Sequence, residues 1–359
     1  TYRYKKIMSK PAIPFPCGVI EGFYGRSWPH ETRLAYSALL PRMGLNTYLY
    51  CPKNDPYLRS QWRLDWPKGG RSKLIEMGQA CSKHGVDWGV GLSPVALYLD
   101  YGKQQRQALQ ERVLGLADLG LDVLAILFDD MPGDCPDLAS RQADIITDVA
   151  AWLPHIRLMM CPTYYSFDPV LARYFGAMPD NYWTELGKAL PADVHIFWTG
   201  NEVCSPSITE RDIGAIVRLL GRPVTLWDNY PVNDGAARSD HLYLEPLAAR
   251  DIGLAPSIGG HLCNPMNQGF ASLPALNGLA RLYGAGLEDA ELAEIIGKST
   301  WSSLQRDASE FLVLGLSGLG EARCAELARH YRSQSGEAAR EVAEWLEGDY
   351  AFDPACLTD

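Results

Sequence analysis

The chain has 359 residues, which is enough for one large domain or two ordinary ones. Hydrophobic residues make up 47% of it and charged residues 21%, a composition typical of a globular rather than a disordered protein. Its formal net charge of −10 argues against a nucleic-acid or anionic-membrane partner. No run approaches the roughly 20 apolar residues that span a bilayer.

The first 16 residues are basic but lack the apolar core of a signal peptide. Nine cysteines are scattered along the chain without a CxxC pair, a pattern typical of reduced thiols. We therefore expect a cytoplasmic protein, although the sequence leaves open a leader that has been removed.

Short runs rich in β-branched and aromatic residues predict eight strands, which are separated by helical patterns. In chain order the runs are 16–25, 46–53, 86–94, 122–130, 155–165, 194–200, 223–231 and 255–265. A βα unit that recurs at such intervals predicts parallel strands joined by right-handed crossovers, and eight units predict a (β/α)₈ barrel in the α/β class. A doubly wound open sheet is the alternative, but "EGFYGRSW" lacks the GxGxxG loop that this fold places after its first strand.

Apolar helix faces and helix-ending residues support the same division of the chain. Leu74, Met77 and Cys81 share one helical face, and the helix before the fourth strand is predicted to close on Gly120. After about residue 275 the strand signal stops. We therefore predict a catalytic barrel over 14–275 and a helical region over 276–359, with a packing face of Trp301, Leu304, Ala308 and Phe311.

Polar and aromatic side chains follow the predicted strands, at the rim where parallel barrels carry their chemistry. They include Glu21, Gly22, Tyr24, Lys53, Asn54, Asp55, Asp129, Asp130, Tyr164, Tyr165, Trp198, Thr199, Trp227, Asp228, Asn229, Asn233, Asp234, Asn264 and Asn267. Aromatic rings stack on the C–H faces of sugars, while carboxylates and amides bind hydroxyls. The set predicts a carbohydrate site.

Asp129 and Asp130 end the fourth predicted strand, "LAILFDD". Two carboxylates in different environments can divide acid and base roles between them. A retaining glycosidase with a carboxylate nucleophile needs its two groups about 5–5.5 Å apart on opposite faces of the sugar, which sequence neighbours reach poorly. They suit a substrate that supplies its own nucleophile, such as a 2-acetamido sugar.

Other chemistries have weaker support. "DDMPGD" loosely resembles acid clusters that hold Mg²⁺, but such clusters belong on helices of mostly helical proteins. No HxH, HExxH or GxSxG motif is present, which argues against a zinc site and against serine hydrolysis. We expect no metal and no cofactor.

Seven segments, in order over about residues 16–270, together resemble one family. They are "GVIEGFYGRSW", "NTYLYCPKNDPY", "ILFDDMP", "CPTYY", "FWTGNEV", "LWDNYPVND" and "CNPMNQ". The chain resembles the catalytic barrel of glycoside hydrolase family 84, the O-GlcNAcase and bacterial β-N-acetylglucosaminidase (hyaluronidase-like) group. The resemblance implies retaining, substrate-assisted hydrolysis through an oxazoline.

By motif, the resemblance implies that Asp129 orients and polarises the acetamido group and that Asp130 is the general acid/base. Tyr165 would contact the acetamido oxygen, and Trp227 would wall the acetamide pocket beside Asn229. The contacts to sugar hydroxyls would come from Asp234, the Gly22 backbone, Lys53 and Asn264. Asn54 and Tyr164 depart from the usual family pattern, which bears on the leaving-group side of the site.

The sequence is compatible with three functions. The leading hypothesis is an exo-acting β-N-acetylglucosaminidase, with O-GlcNAc on Ser or Thr of proteins or peptides as a candidate substrate. The second is an endo-acting or polymer-directed hexosaminidase that cleaves hyaluronan or chitin fragments. The third is a GlcNAc-binding barrel without turnover, which would not need both Asp129 and Asp130. The oligomeric state does not follow from the sequence.

Overall fold

Eight parallel strands close into a barrel in chain order in the computed structural model, which describes Ile13 and residues 15–358. The strands are β1 (Cys17–Glu21), β2 (Thr47–Tyr50), β3 (Asp87–Leu92), β4 (Val123–Leu127), β5 (Arg157–Cys161), β6 (His195–Trp198), β7 (Val224–Asp228) and β8 (Ile258–Cys263). The register of β8 against β1, from Cys17 opposite His261, closes the ring. The predicted (β/α)₈ barrel is confirmed. Most of the basic stretch 1–16, together with the predicted barrel start at residue 14, lies outside the described residues.

Helices follow most of the strands. They are α1 (His30–Met43), α2 (Lys68–His84), α3 (Lys103–Ala117), α4 (Leu138–Trp152), α5 (Val170–Phe175), α6 (Tyr182–Ala189), α7 (Glu210–Leu220) and α8 (Leu273–Leu282). The exception is β7, since the connection over 229–257 contains only short 3₁₀ turns. That long connection leaves room at the rim for loops.

The strands are apolar because both of their faces are covered. Every residue of β1, β2, β4 and β7 is buried, as expected for a parallel sheet enclosed by helices. The predicted C-cap of α3 differs, since the helix stops at Ala117 and its C-cap is Asp118 and not Gly120. The N–H groups of Leu119 and Gly120 bond to the carbonyls three residues back, so the last turn is tighter than α-helical, and Gly120 supplies the left-handed residue after it.

Four helices continue the chain after α8, as the sequence predicted. They are α9 (Asp289–Ile296), α10 (Lys298–Val313), α11 (Gly315–Arg332) and α12 (Glu337–Leu346). In the predicted packing face, Leu304, Ala308 and Phe311 are buried and Trp301 is half-buried. The predicted division at residue 275 falls within α8, and the assignment of two domains stays a prediction.

The helical region is tied to the barrel by polar contacts as well as by packing. Trp345 on α12 donates its indole N–H to the Ser239 carbonyl in the connection after β7, at 3.0 Å. Glu341, also on α12, is buried and accepts the backbone N–H of Ala271, just before α8, at 2.9 Å. Burial raises the pKa of Glu341 to about 8.

All nine cysteines are free thiols. Over Ile13 and residues 15–358, no helix combines the length and the apolar character that crossing a membrane requires. The cytoplasmic location stays a prediction.

Replacing Glu341 with Gln is expected to change how stability depends on pH. In the wild type the Glu341 carboxyl group has a pKa of about 4.5 in the unfolded chain and about 8 in the folded one. Between these two values the unfolded chain binds fewer protons, so the free energy of unfolding falls as pH rises, by about 1.4 kcal/mol per pH unit. The contribution of this carboxyl group to stability is therefore complete below about pH 4.5 and lost above about pH 8.

Urea unfolding of both proteins at several pH values between 4 and 9 measures this effect. The stability of Glu341→Gln relative to the wild type should rise from low to high pH. A difference that is constant with pH would contradict the assignment.

Candidate active site

A cavity opens at the carboxyl-terminal rim of the barrel. All nine site residues predicted from the sequence line it, namely Gly22, Lys53, Asp129, Asp130, Tyr165, Trp227, Asn229, Asp234 and Asn264. The strand ends therefore bring together residues that are up to 242 positions apart in the chain.

Asp129 and Asp130 reach the same cavity because the chain turns between them. Successive residues of an extended strand point to opposite faces, but β4 ends at Leu127 and Asp130 has a left-handed φ of 57°. A non-glycine residue in this conformation stores strain, and such residues concentrate at functional sites. The turn places both carboxylates on the wall of one pocket.

Lys53 holds the two carboxylates together. Its ammonium group is ion-paired with Asp129 Oδ2 and lies 3.8 Å from Asp130 Oδ2. Burial acts to lower the pKa of Lys53, but the charges of Asp129 and Asp130 outweigh it and raise that pKa. Lys53 therefore stays cationic at neutral pH, which offsets the repulsion between the adjacent aspartates.

The second oxygen of Asp129, Oδ1, has no hydrogen-bond partner in the part of the chain that the structure describes. Asp129 is buried, and Oδ1 accepts no hydrogen bond from the described residues 15–358. Most buried polar atoms are paired, since an unpaired one carries a desolvation penalty. This oxygen can accept an N–H from a ligand in the cavity.

Two phenols surround Asp130. Tyr24 donates its hydroxyl to Oδ2 at 2.6 Å, and Tyr165 donates to Oδ1 at 3.3 Å. Arg59 in turn donates to the Tyr24 hydroxyl at 3.0 Å, which commits the Tyr24 proton to Asp130. Burial first, and then the charge of Asp130, raises the pKa of both phenols. Both tyrosines therefore remain neutral donors.

Trp227 packs against the backbone of Gly22. A Cβ atom on residue 22 would lie only 2.3 Å from Cζ2 of the indole, so only glycine leaves room for this ring. The Trp227 ring is also held by an edge contact with Phe197, with 5.4 Å between the ring centroids. Trp227 thus presents a fixed aromatic wall.

Asn229 and Asn264 form an amide network beside that wall. The Asn229 oxygen accepts from Trp227 Nε1 and from Asn264 Nδ2, both at 3.0 Å. Asn229 Nδ2 donates to the Val203 carbonyl at 2.9 Å, and Asn264 Oδ1 accepts the Gly22 N–H at 3.1 Å. The network fixes which end of each amide faces the cavity.

Asp234 lies in the connection after β7 and accepts the backbone N–H of Tyr24 at 2.7 Å. This bond joins the loops after β7 and β1. Further along the chain, Cys356 and Thr358 line the same cavity.

Several polar residues predicted at strand ends do not line the cavity. Glu21 is fully buried and accepts from Arg33 and from the Tyr48 hydroxyl. Asp55 accepts from Tyr50 and from the indole of Trp66. Six further strand-end residues also lie outside the cavity lining, namely Asn54, Tyr164, Trp198, Asp228, Asn233 and Asn267.

The donor sets in the structure fit cation binding poorly. Oxygen or nitrogen atoms of Asp228 and His261 and the sulfur of Cys263 lie within 4.8 Å of one another. However, Arg250 donates twice to Asp228, at 2.7 Å each, and His261 Nε2 lies 3.0 Å from Asp228 Oδ2. In the cavity itself, Lys53 already neutralises the adjacent aspartates.

Sequence reasoning missed part of the lining. Tyr24 lies two residues after Gly22 in "GFYG" and lines the cavity, but the sequence predicted it only as a strand-end residue. Its position close to Gly22 is the signal that could have identified it as a site residue. Thr199 was noted in the same way. Val203, Cys204 and Val232 come from loops, and Cys356 and Thr358 come from the end of the helical region, so no sequence signal points to them.

A parallel barrel that gathers acidic, amide and aromatic side chains at this rim has the architecture of a glycoside hydrolase. A family model described as beta-N-acetylglucosaminidase matches residues 17–311. The chain therefore belongs to the beta-N-acetylglucosaminidase family. The resemblance inferred from the sequence and the glycoside hydrolase class are both confirmed.

Similar proteins agree with this family. The chain is 27% identical over 282 residues to the protein O-GlcNAcases of Rattus norvegicus and Mus musculus, a match that covers 76% of this chain and 30% of each relative. A structure of an O-GlcNAc hydrolase mutant from Thermobaculum terrenum is similar with a TM-score of 0.76 and 27% identity, covering 94% of this chain and 81% of that one. The structure of CpGH84B, at 24% identity and a TM-score of 0.75 over 94% of this chain and 67% of that one, supports the fold alone.

Replacing Gly22 with Ala is expected to displace Trp227, because the added methyl group would overlap the indole. Overpacking of this kind costs about 1–3 kcal/mol in the free energy of unfolding, measurable by urea denaturation. Gly69→Ala is the matched control, since Gly69 near the start of α2 has nothing within 4 Å of the added atom. If the two variants are equally stable, the contact between Gly22 and Trp227 does not constrain the site.

Proposed function

We propose that the chain is a retaining exo-β-N-acetylglucosaminidase in which the acetamido group of the substrate acts as the nucleophile. The observation that carries the proposal is the buried Oδ1 of Asp129, which lacks a partner among residues 15–358 and lies beside Asp130 in one cavity. An acetamido N–H is a donor that this oxygen can accept. A carboxylate nucleophile would require two separated groups, whereas these two are neighbours in sequence.

In the first step, protonated Asp130 donates its proton to the glycosidic oxygen while the bond from that oxygen to C1 breaks. The acetamido carbonyl oxygen attacks C1 from the opposite face and closes an oxazoline-type ring. Asp129 holds the acetamido N–H and balances the positive charge that develops on the ring. Tyr165 and Trp227 would contact and enclose the acetamido group.

In the second step, the ionised Asp130 removes a proton from a water molecule, and that water attacks C1. The ring opens, the acetamido group is restored, and the product keeps the β configuration. Tyr24 and Lys53, both within reach of Asp130 Oδ2, would hold this carboxyl group in place through both steps.

The remaining lining residues suit a terminal sugar. Asp234 and the backbone of Gly22 would bind the outer hydroxyls, and Lys53 and Asn264 would complete these contacts. Asn229, held by three hydrogen bonds, would fix the acetamide end of the pocket. We assign these roles by motif and by position in the cavity.

For the substrate we propose GlcNAc linked to Ser or Thr of a protein or peptide. The support is the names of the rat, mouse and Thermobaculum terrenum relatives, although this chain spans only 30% of the length of the mammalian ones. Activity on an O-GlcNAc peptide, compared with chitin oligosaccharides and hyaluronan, tests this choice. Preference for either polymer would favour the endo-acting or polymer-directed alternative.

Acetamide participation can be tested with aryl β-GlcNAc substrates whose N-acyl group is progressively enlarged. We expect kcat/KM to fall steeply as the acyl group grows, because the group itself must reach C1. Rates that do not depend on the acyl group would contradict substrate assistance. Binding of GlcNAc without cleavage of any of these substrates would favour the sugar-binding alternative.

Asp130→Asn is expected to lower kcat on substrates with poor leaving groups by about 10²–10⁴-fold, the usual contribution of general acid catalysis. Substrates with good leaving groups should be less affected in the first step, and added azide should restore part of their turnover by replacing water. Asp129→Asn should slow the reaction whatever the leaving group.

Asp134→Asn is the matched control for both variants. Asp134 is exposed in the same loop and does not line the cavity. It should keep the wild-type rate. A defect in Asp129→Asn that depends on the leaving group would reverse the two assigned roles.

A further inference from the structure

The segment over 351–358 follows α12 and crosses to the mouth of the cavity. Its start is fixed next to the loop after β1, since the Arg26 guanidinium lies 4.6 Å from the ring centroid of Tyr350. Arg26 also forms an ion pair with Glu344 on α12, at 2.9 Å. The loop that supplies Gly22 and Tyr24 to the cavity therefore also anchors this segment.

A tight turn then directs the segment inward. The Ala355 N–H bonds to Asp353 Oδ1 and the Cys356 N–H bonds to the Asp353 carbonyl, both at 2.9 Å. Asp in the first position of a turn and Pro in the second, here Pro354, are the residues that favour this geometry. The turn is thus encoded locally, in the sequence "DPAC".

After the turn, side chains alternate between the cavity and solvent. Cys356 and Thr358 are half-buried and line the cavity, whereas Ala355 and Leu357 are exposed. A period of two is the pattern of an extended chain with one face against a surface. The segment therefore turns the side chains of Cys356 and Thr358 toward the cavity and that of Leu357 toward solvent.

The two inward side chains contact residues that we assign to the sugar. Cys356 Sγ lies 4.0 Å from Asp234 Oδ1, and Thr358 lines the same cavity as Tyr165. Asp234 is the proposed partner of the outer hydroxyls and Tyr165 that of the acetamido group. A GlcNAc residue that contacts both would require the space that this segment takes.

We propose that the 354–358 segment is an intramolecular occupant of the sugar pocket, which substrate must displace before it binds. The inference rests on the proposed function, because it takes the cavity to be the site for GlcNAc. The segment is tethered to α12, so its local concentration is high and weak contacts are enough to fill the pocket. The apparent affinity for substrate is then lowered by the fraction of molecules in which the pocket is open.

Cys356→Asp tests the proposal, because it places a carboxylate against Asp234 and should drive the segment out. We expect KM for an aryl β-GlcNAc to fall by about three- to tenfold, as the closed fraction is lost, with kcat unchanged. The matched control is Leu357→Asp, which adds the same charge to the neighbouring residue, whose side chain is 47% exposed. Its KM should equal that of the wild type. A KM for Cys356→Asp that is equal to or higher than the wild-type value overturns the proposal.

Thiol labelling gives a readout that does not require turnover. Cys356 in the wild type should react with iodoacetamide several-fold more slowly than the cysteine of a Cys356→Ala/Leu357→Cys double variant, with both sites resolved by peptide mass spectrometry. Millimolar GlcNAc should accelerate labelling of Cys356 and leave the control unchanged. Equal labelling rates for the two positions without sugar would overturn the proposal.

The two readouts separate this inference from the proposed function. Cleavage with an unchanged KM in Cys356→Asp would uphold the function and overturn the inference. Slow labelling of Cys356 without cleavage by any variant would uphold the occupied cavity mouth and overturn the hydrolase assignment. Cleavage by Cys356→Asp alone would support both.

Discussion

Two carboxylates on successive residues share one cavity, and the ammonium group of Lys53 offsets the repulsion between them. Adjacent anions repel strongly where water is excluded, and a cation that is hydrogen-bonded to Asp129 and lies 3.8 Å from Asp130 reduces that cost. The left-handed backbone at Asp130 is the second requirement, because without it Asp129 and Asp130 would point to opposite faces of the strand. The rest of the site is arranged around these charges.

The surrounding polar groups are held by one another, which leaves few free to move. Arg59 orients Tyr24, Tyr24 donates to Asp130, and the backbone of Tyr24 donates to Asp234. On the other side, Asn229 links Trp227 to the loop that carries Val203. Such chains preorganise a site, so binding a ligand costs little rearrangement. Oδ1 of Asp129 stands out because it has no hydrogen-bond partner among residues 15–358, whereas the polar groups around it are paired.

The barrel and the core of the site followed from the sequence because both depend on local patterns. Apolar runs at regular spacing predict strands, and residues after parallel strands must meet at one rim, so the amino-acid sequence alone was enough to group Gly22, Lys53, Asp129 and Trp227. The rule does not distinguish a side chain that faces the cavity from one that faces away. Glu21 and Asp228 are strand-end acids, but each is paired with an arginine outside the cavity.

The cavity residues that come from loops and from distant segments could not be predicted from the sequence. Val203 lines the cavity because hydrogen bonds hold its loop in place, and Cys356 lines it because of the way α12 docks on the barrel. Neither leaves a periodic trace in the sequence. The C-cap of α3 lies two residues before the predicted Gly120, because a glycine can follow a tightened last turn as well as cap a regular helix.

The docking of α12 bears on whether the helical region is a separable module. Glu341 binds the backbone just ahead of α8, Trp345 binds the connection after β7, and Glu344 pairs with Arg26 beside the cavity. A recombination point at residue 275 would cut α8 and leave each of these partners on a different piece. For anyone grafting this rim onto another scaffold, or shuffling it with a relative, the smallest portable unit includes the helices through α12.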